Sequence, residues 1–329
     1  MGDAATDAAP VPPMTKATNV FMQIAVHPDG TITRPPVPTV PAVPPGGGGT
    51  VVSRDVPLDA SLGTSLRLYL PGVAREGEPP SSRLPVILYF HGGGFVIFSA
   101  ATVFYHASCE AMAAAVPAIV ASLEYRLAPE HRLPAAYDDA VAAVRWLRDA
   151  APGDPWVAAH GDLSRCFVMG SSSGGNMAFH AGLRTRGLDL APAAVRGLLL
   201  HQPYLGGVER TPSEAKSEDD AMLPLEANDT LWDLALPAGA DRDHEFSNPV
   251  KSLPPAAAAG LPRCLVTGHD GDPLIDRQRE FIGWLRESSV EVVDETGFRG
   301  FHAVELFVPD KAEELFAAVR EFVHAGDDA

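Results

Sequence analysis

The motif Gly170-Ser171-Ser172-Ser173-Gly174 directly follows the apolar run Cys166 to Met169. A G-x-S-x-G motif at the end of a strand is typical of a sharp strand-to-helix turn, in which the central serine has a strained backbone and its hydroxyl projects above a sheet. The stretch therefore predicts a sheet strand that ends near Gly170, a helix that starts near Gly174, and Ser172 as an exposed nucleophile.

A second glycine-rich loop, His91-Gly92-Gly93-Gly94, ends the apolar run Leu84 to Phe90. Glycine triplets on their own indicate only a flexible loop. Beside a nucleophilic serine, however, Gly92 and Gly93 leave room for a substrate carbonyl, and their N–H groups can hold an oxyanion together with the N–H of Ser173. The two motifs together indicate acyl transfer.

Apolar runs of strand length alternate with helical patterns over most of the chain. The expected strands are Leu84 to Phe90, Ala118 to Leu123, Cys166 to Met169, Gly197 to His201, Arg263 to Thr267 and Val290 to Val293. The expected helices span residues 101–115, 136–149, 174–187, 277–288 and 311–325. Continuous apolar strands separated by helices predict an α/β fold with a mostly parallel, doubly wound sheet covered on both faces. Two half-buried antiparallel strands, Val51 to Val56 and Ser65 to Leu70, precede it.

Two segments depart from this alternation. Residues 1–49 are rich in proline and glycine, with one apolar island from Val20 to Val26, and we expect an N-terminal arm whose island docks over an apolar surface. Residues 206–247 are too long for an ordinary connection and predict a helical insertion that forms part of a lid. The remainder, residues 50–329, is expected to be one catalytic domain.

Composition excludes several classes of function. With 25 Lys and Arg against 42 Asp and Glu, the net charge is −17, which disfavours nucleic acid and anionic membranes as partners. Three cysteines predict reduced thiols rather than a disulfide framework. The start Met1-Gly2 fits a bare myristoylation pattern, but Asp3 and the lack of a basic cluster argue against stable anchoring. We expect a cytosolic or nuclear protein with no stable membrane association.

A serine nucleophile needs a base, and the base needs an orienting carboxylate. Among the histidines after Ser172, His302 lies in a loop beyond the expected last strand, where it can reach the serine from the carboxyl edge of the sheet. The acid is expected in the loop after the strand Arg263 to Thr267. Asp270 is explained by a turn and Asp276 by the first turn of a helix. Asp272 is therefore the expected acid.

Side chains for a substrate pocket are harder to select, because buried apolar residues are usually ordinary core. Five residues near the motifs are candidates for an acyl pocket: Ile97, Phe98, Tyr204, Leu205 and Trp232. Arg126 and Glu130 are expected to brace the loop beneath the site. No metal or cofactor is expected.

The chain resembles the hormone-sensitive-lipase-like family of α/β-hydrolases and, within it, the plant carboxylesterases, from about Val20 to the C-terminus. The resemblance is carried by His91 to Phe95, Glu124 to His131, Gly170 to Asn176 and Asp272 to Asp276, with Asp29 to Arg34, Trp232 to Pro237 and Ser247 to Pro249 similar to the plant branch. It implies an α/β-hydrolase fold, Ser172, Asp272 and His302 as catalytic residues, and Gly92, Gly93 and Ser173 as oxyanion donors. One departure is that Val304 stands where the family usually has an aromatic residue, and Phe307 follows later.

Three functions are consistent with this resemblance. The leading hypothesis is a cofactor-free carboxylesterase that hydrolyses small or medium esters through an acyl-enzyme. The related gibberellin receptors bind a hormone under an N-terminal lid and lack the catalytic histidine, whereas His302 is present here. Relatives of isoflavanone dehydratase type are expected to carry threonine at the position of Ser172.

Overall fold

An eight-stranded sheet forms the centre of the protein. The computed structural model describes residues 19–44, 50–72 and 83–325. A separate two-stranded hairpin contains β1 (Ala25–Val26) and β2 (Ile32–Thr33). The strands of the central sheet are β3 (Val51–Asp59), β4 (Thr64–Pro71), β5 (Leu84–Phe90), β6 (Ile119–Glu124), β7 (Gly161–Ser171), β8 (Val195–His201), β9 (Arg263–His269) and β10 (Val292–Phe298). They lie in the order β10-β9-β8-β7-β5-β6-β4-β3. Only the β3–β4 and β4–β6 pairs are antiparallel among these neighbours, which confirms the predicted mostly parallel α/β sheet.

The interior strands have unbroken apolar sequences because their side chains contribute to two hydrophobic cores, one on each face of the sheet. In β5, Val86 and Leu88 belong to the core on one face of the sheet, and Ile87 and Tyr89 belong to the core on the other. Since successive side chains of a strand point to opposite faces, a strand that is buried on both faces is apolar throughout.

Helices cover both faces of the sheet. They are α1 (Val103–Ala115), α2 (Ala135–Asp149), α3 (Pro155–His160), α4 (Ser173–Thr185), α5 (Pro212–Ala215), α6 (Leu225–Ala235), α7 (Pro249–Ser252), α8 (Ile275–Glu287) and α9 (Pro309–His324). Buried residues of α2, α4 and α8 contribute to one core, whereas those of α1 and α9 contribute to the other. The five predicted long helices are all present, with ends within about two residues of the expected ones.

Several strands differ from the prediction in their bounds or burial; β7, for example, starts at Gly161 and not at Cys166. The last strand runs over Val292–Phe298 and not from Val290 to Val293, because it is a largely exposed edge strand whose pairing with β9 depends on backbone hydrogen bonds rather than on an apolar run. Strand β4 is almost fully buried instead of half-buried. Its Leu68 enters one core and its Tyr69 the other, because α1 covers the second face.

Residues 19–44 of the N-terminal arm pack against the domain. Its island contains a short 3-10 helix, Phe21–Gln23, followed by the hairpin strands β1 (Ala25–Val26) and β2 (Ile32–Thr33). Farther along, Arg34 donates hydrogen bonds to the carbonyl oxygens of Val96 (2.6 Å) and Ala128 (2.7 Å). Met1, Gly2 and the glycines at 46–49 lie outside the described residues.

The segment 206–247 contains the helices α5 and α6, as expected, and its helix α6 is buried along one face. Cys109, Cys166 and Cys264 are buried free thiols, as predicted. Within the described ranges, the chain has no helix that is both long and apolar enough to cross a bilayer.

Candidate active site

Ser172 lies at the turn between β7 and α4 with a left-handed backbone (φ 55°, ψ −120°), a conformation that costs free energy for a non-glycine residue. The turn depends on its glycines. A methyl group at Gly174 would overlap the carbonyl oxygen of Phe90, and one at Gly170 would overlap that of Gly174. The sequence motif thus forms the sharp turn that it predicts.

His302 lies between Ser172 and Asp272. Its Nε2 is 2.9 Å from the hydroxyl oxygen of Ser172, and its Nδ1 is 2.9 Å from Oδ2 of Asp272. Exposed fractions are 9% for Ser172, 1% for Asp272 and 3% for His302, so the chain of contacts is shielded from water. The loops after β7, β9 and β10 therefore bring together three residues that are far apart in sequence.

Neighbouring groups hold the carboxylate of Asp272 in place. The backbone N–H of Leu274 donates to its Oδ1 at 2.9 Å, and Nε2 of Gln278 donates to its Oδ2 at 3.0 Å. These bonds stabilise the ionised carboxylate and fix the oxygen that faces His302.

The ionisation of the pair follows from burial and from mutual attraction. Burial alone would lower the pKa of His302, but the Asp272 carboxylate outweighs it and raises the pKa above its ordinary value. Burial likewise opposes ionisation of Asp272, yet the His302 ring and the donated hydrogen bonds lower the pKa of the carboxyl. The two directions agree: a charged Asp272 stabilises a protonated His302.

Three other histidines that follow Ser172 in sequence make contacts that belong to the packing of the fold. His180 is stacked on Tyr137, and burial lowers its pKa to about 3. His201 contacts Thr267 and Glu305, and the Nε2 of His324 is 2.7 Å from the carbonyl oxygen of Val116. The backbone carbonyl oxygen of His201 accepts from the Ser172 N–H at 2.9 Å, but the ring that contacts the Ser172 hydroxyl is that of His302.

The glycine loop is braced rather than loose. The ring of His91 stacks on Tyr125 at a centroid distance of 4.2 Å, and the hydroxyl of Tyr125 donates to the His91 carbonyl oxygen. Gly93 has a φ of 119°, and its carbonyl oxygen accepts from the N–H groups of Val96 and Ile97. A strained glycine at this point lets the loop turn beside Ser172.

Gly92 and Gly93 differ in their surroundings. Gly92 faces the hydroxyl of Tyr105: burial raises the pKa of Tyr105 well above its ordinary value, and the Gly92 N–H partly opposes that shift. Gly93 lines the cavity that also contains Ser172 and His302. The expected part of the Gly92 N–H in an oxyanion site stays a prediction.

A cavity of about 130 Å³ opens at Ser172 and His302. Its other walls are Asn19, Val20, Phe21, Gly93, Phe98, Phe104, Tyr105, Met222, Ala303, Leu306 and Phe307. The apolar island of the arm, which was predicted only to dock over an apolar surface, thus contributes Val20 and Phe21 to the cavity wall. The residues from α1 and Met222 carried no sequence signal that separates them from ordinary core.

Four of the five predicted pocket residues do not line this cavity. Phe98 does, but Ile97, Tyr204, Leu205 and Trp232 belong to the hydrophobic core. Tyr204 and Trp232 stack face to face at 4.4 Å, which anchors the insertion helix α6 to the domain. Their apolar surface is used in packing, so that assignment was wrong.

Comparison with known proteins gives concordant results. Residues 87–305 match the family model described as the alpha/beta hydrolase fold. The chain is 44% identical to Probable carboxylesterase 8 of Arabidopsis thaliana over 95% of both chains. It is also 44% identical to 3-O-acetylpapaveroxine carboxylesterase CXE2 of Papaver somniferum, over 82% of this chain and 90% of that protein.

A solved structure with the same fold is an esterase from Pyrobaculum calidifontis. It superimposes with a TM-score of 0.69 and 25% sequence identity, over 85% of this chain and 86% of that one.

Proposed function

The chain belongs to the α/β-hydrolase family and hydrolyses carboxylic esters, and from this premise we propose that it does so through Ser172, His302 and Asp272 with an acyl-enzyme intermediate. The observation that carries the proposal is the continuous contact from the Ser172 hydroxyl through both ring nitrogens of His302 to the Asp272 carboxylate. Such an arrangement supplies a base beside the nucleophile and an orienter behind the base.

The proposed reaction has two halves. The Ser172 oxygen attacks the ester carbonyl carbon while Nε2 of His302 takes the hydroxyl proton, and the Gly93 and Ser173 N–H groups, with that of Gly92, stabilise the oxyanion. His302 then returns the proton to the alcohol oxygen as the ester bond breaks. Water, deprotonated by His302, then attacks the acyl carbon. The bond from that carbon to the Ser172 oxygen breaks, His302 returns the proton to the Ser172 oxygen, and the acid leaves.

The size of the cavity favours small and medium substrates. An apolar cavity of about 150 Å³ accommodates benzene, so a cavity of 130 Å³ beside Ser172 suits a short acyl group. The poppy relative is named for an O-acetyl ester, which fits this size.

We assign the roof of the site to the arm and the insertion. Val20 and Phe21 from the arm and Met222 from the segment 206–247 lie on the cavity, so both segments reach the site from outside the sheet. This supports their expected role as a lid over substrate.

Hormone binding and dehydration are not favoured. Relatives that are 40–44% identical to this chain are named as carboxylesterases. His302 is present where a hormone receptor is expected to lack the histidine, and Ser172 stands where a dehydratase is expected to have threonine. A second function therefore has no specific observation in its support.

Removal of the hydroxyl of Ser172 tests the proposed mechanism. We expect Ser172→Ala to abolish the burst of p-nitrophenol from p-nitrophenyl acetate and to prevent covalent labelling by an organophosphate, as detected by intact-protein mass. Ser164→Ala, an exposed serine at the opposite end of β7, is the matched control and is expected to keep both. Retained hydrolysis in Ser172→Ala would refute the proposed nucleophile.

A further inference from the structure

Gln202 is a buried residue beside the active site to which the proposed mechanism gives no role. It directly follows β8, is 1% exposed and has a left-handed backbone with a φ of 42°. Such a backbone costs free energy for a non-glycine residue, so contacts around the residue must stabilise it. The backbone N–H of Gln202 donates to the carbonyl oxygen of Thr267 in β9 at 2.8 Å. The main chain of Gln202 is thus attached to the sheet.

The side-chain amide of Gln202 contacts the main chain on both sides of His302. Its Oε1 accepts from the N–H of Ala303 at 2.7 Å, and its Nε2 donates to the carbonyl oxygen of Phe301 at 3.3 Å. An amide is suited to this pair of contacts because it carries both an acceptor and a donor, whereas an ionised carboxylate only accepts. The residues before and after His302 are therefore bound to one side chain.

The turn that contains Gln202 also contacts the nucleophile. The carbonyl oxygen of His201 accepts from the N–H of Ser172 at 2.9 Å, and the N–H of Tyr204 donates to the carbonyl oxygen of Ser172 at 2.9 Å. The turn thus binds the main chain of the serine directly and the main chain around His302 through the amide. One short segment after β8 therefore connects the two groups between which the proton moves.

The contact with Asp272 orients the ring of His302, but it does not determine where the main chain of that residue lies. The next residue, Ala303, has a left-handed φ of 62°, so the chain bends sharply beside the base. A bend of this kind needs contacts from outside the loop to keep one geometry. The position matters, because a shift of about 1 Å at the reacting atoms can cost on the order of 100-fold in rate.

We propose that Gln202 is a positioning residue that holds His302 at the distance from Ser172 that proton transfer requires. The inference rests on the proposed function, because Gln202 acts through the base of that reaction. Gln202 is not one of the described residues that line the cavity. Its loss is therefore expected to slow the steps in which a proton moves and to leave substrate binding unchanged.

Gln202→Met tests this role, since methionine keeps the unbranched shape and removes both hydrogen bonds. With p-nitrophenyl acetate, the burst reports acylation of Ser172 and the steady state reports deacylation, and His302 moves a proton in both. We expect both rate constants to fall about tenfold or more. KM and the burst amplitude should stay within about twofold of the parent values, because they depend on substrate binding and on the ratio of the two rate constants.

Two further variants separate positioning from folding. Asn248→Ala removes another buried amide, which contacts Asp243 at 3.0 Å and the N–H of Lys251 at 3.3 Å, and is expected to keep both rate constants. Gln202→Asn suits the left-handed backbone, which asparagine adopts more readily, but its amide is one methylene too short to reach both sides of His302. We expect it to fold like the parent and to lose turnover like Gln202→Met.

Turnover by Gln202→Asn at the parent rate would overturn the proposal, and so would equal losses in Gln202→Met and Asn248→Ala. A rise in KM at unchanged kcat would also overturn it, since that result would assign Gln202 to substrate binding. If Gln202→Met is unfolded by circular dichroism, Gln202→Asn decides, and unfolding of both would show a role in folding instead. Failure of the proposed function is distinguishable, because Ser172→Ala would then retain hydrolysis.

Discussion

Asn19 and Met222, 203 residues apart in sequence, are joined by a hydrogen bond of 3.0 Å from the side-chain amide of Asn19 to the carbonyl oxygen of Met222. The same amide nitrogen donates to the carbonyl oxygen of Ala221 at 2.9 Å, and its oxygen accepts from the N–H of Phe21. Asn19 is 1% exposed. One buried side chain therefore connects the arm to the insertion directly above the cavity at Ser172.

Asn19→Ala removes this connection. We expect KM for small esters to rise about fivefold, because roughly 1 kcal/mol of hydrogen bonding that shapes the roof is lost, while kcat changes little, because Ser172 and His302 are untouched. Steady-state kinetics with p-nitrophenyl acetate provide the measurement. Asp29→Ala, which breaks an exposed turn with Thr31 in the same arm, is the control and is expected to leave KM unchanged. Equal effects of the two substitutions would contradict a specific role of Asn19.

The acid limb of the pH profile reports His302. As general base His302 must be neutral, so kcat/KM falls as the pH drops through its pKa. Because Asp272 raises that pKa above the ordinary value, we expect the midpoint to lie above about pH 6.5. A midpoint well below that pH would show that burial outweighs the Asp272 carboxylate.

Asp272→Asn tests the same relationship from the other side. Without the negative charge, burial is left to lower the pKa of His302, and we expect the acid limb to move to lower pH while kcat falls by about 10⁴. Asp276→Asn is a useful comparison, since Asp276 accepts from the Ser213 N–H at a helix start and does not contact His302. It is expected to keep the midpoint of the parent protein.

The grouping of Ser172, Asp272 and His302 could be predicted from sequence because it depends on strand order. Parallel strands bring their carboxyl ends to one edge, and Ser172, Asp272 and His302 each follow a strand. The cavity walls could not be predicted in this way. Trp232 and Phe21 are both aromatic residues in apolar stretches, but one is stacked in the core and the other lines the cavity. Which surface each side chain covers depends on long-range docking of the arm and the insertion, and local pattern carries no information about that.

The edge strand of the sheet shows a second limit of structure prediction from sequence patterns. Strand β10 includes Asp294 and Glu295, which no apolar pattern marks as strand, because an edge strand needs backbone partners more than it needs burial. The interior strand β5 was predicted with correct ends because both of its faces are buried. The interior strand β7, in contrast, starts at Gly161 and not at Cys166, since its first residues are only partly buried.

Arg34 connects the arm to the domain by another route. Its guanidinium donates to the carbonyl oxygens of Val96 and Ala128 and also pairs with Glu130, which is 53% exposed. We expect Arg34→Ala to lower the free energy of unfolding by about 1–3 kcal/mol, since the two carbonyl groups lose a charged donor. Glu130→Gln should change it by less than about 1 kcal/mol, as for other exposed ion pairs. Urea unfolding monitored by circular dichroism compares the two. A larger loss in Glu130→Gln would assign the stabilisation to the ion pair instead.

Substitution of two helical glycines by alanine is expected to change the stability of the protein in opposite directions. At Gly174 in α4, a methyl would overlap the Phe90 carbonyl oxygen, so Gly174→Ala must push the helix away from the sheet and is expected to cost about 1–3 kcal/mol of stability. At Gly283 in α8, a methyl meets no atom within 4 Å, and Gly283→Ala should stabilise the protein by about 0.5–1 kcal/mol through helix propensity. Thermal unfolding measures both changes: Tm should fall in Gly174→Ala and rise in Gly283→Ala. Esterase activity should fall only in Gly174→Ala, because the shift moves the Ser173 N–H away from Ser172. A stable, fully active Gly174→Ala protein would show that the close approach of α4 to β5 is not required for the turn.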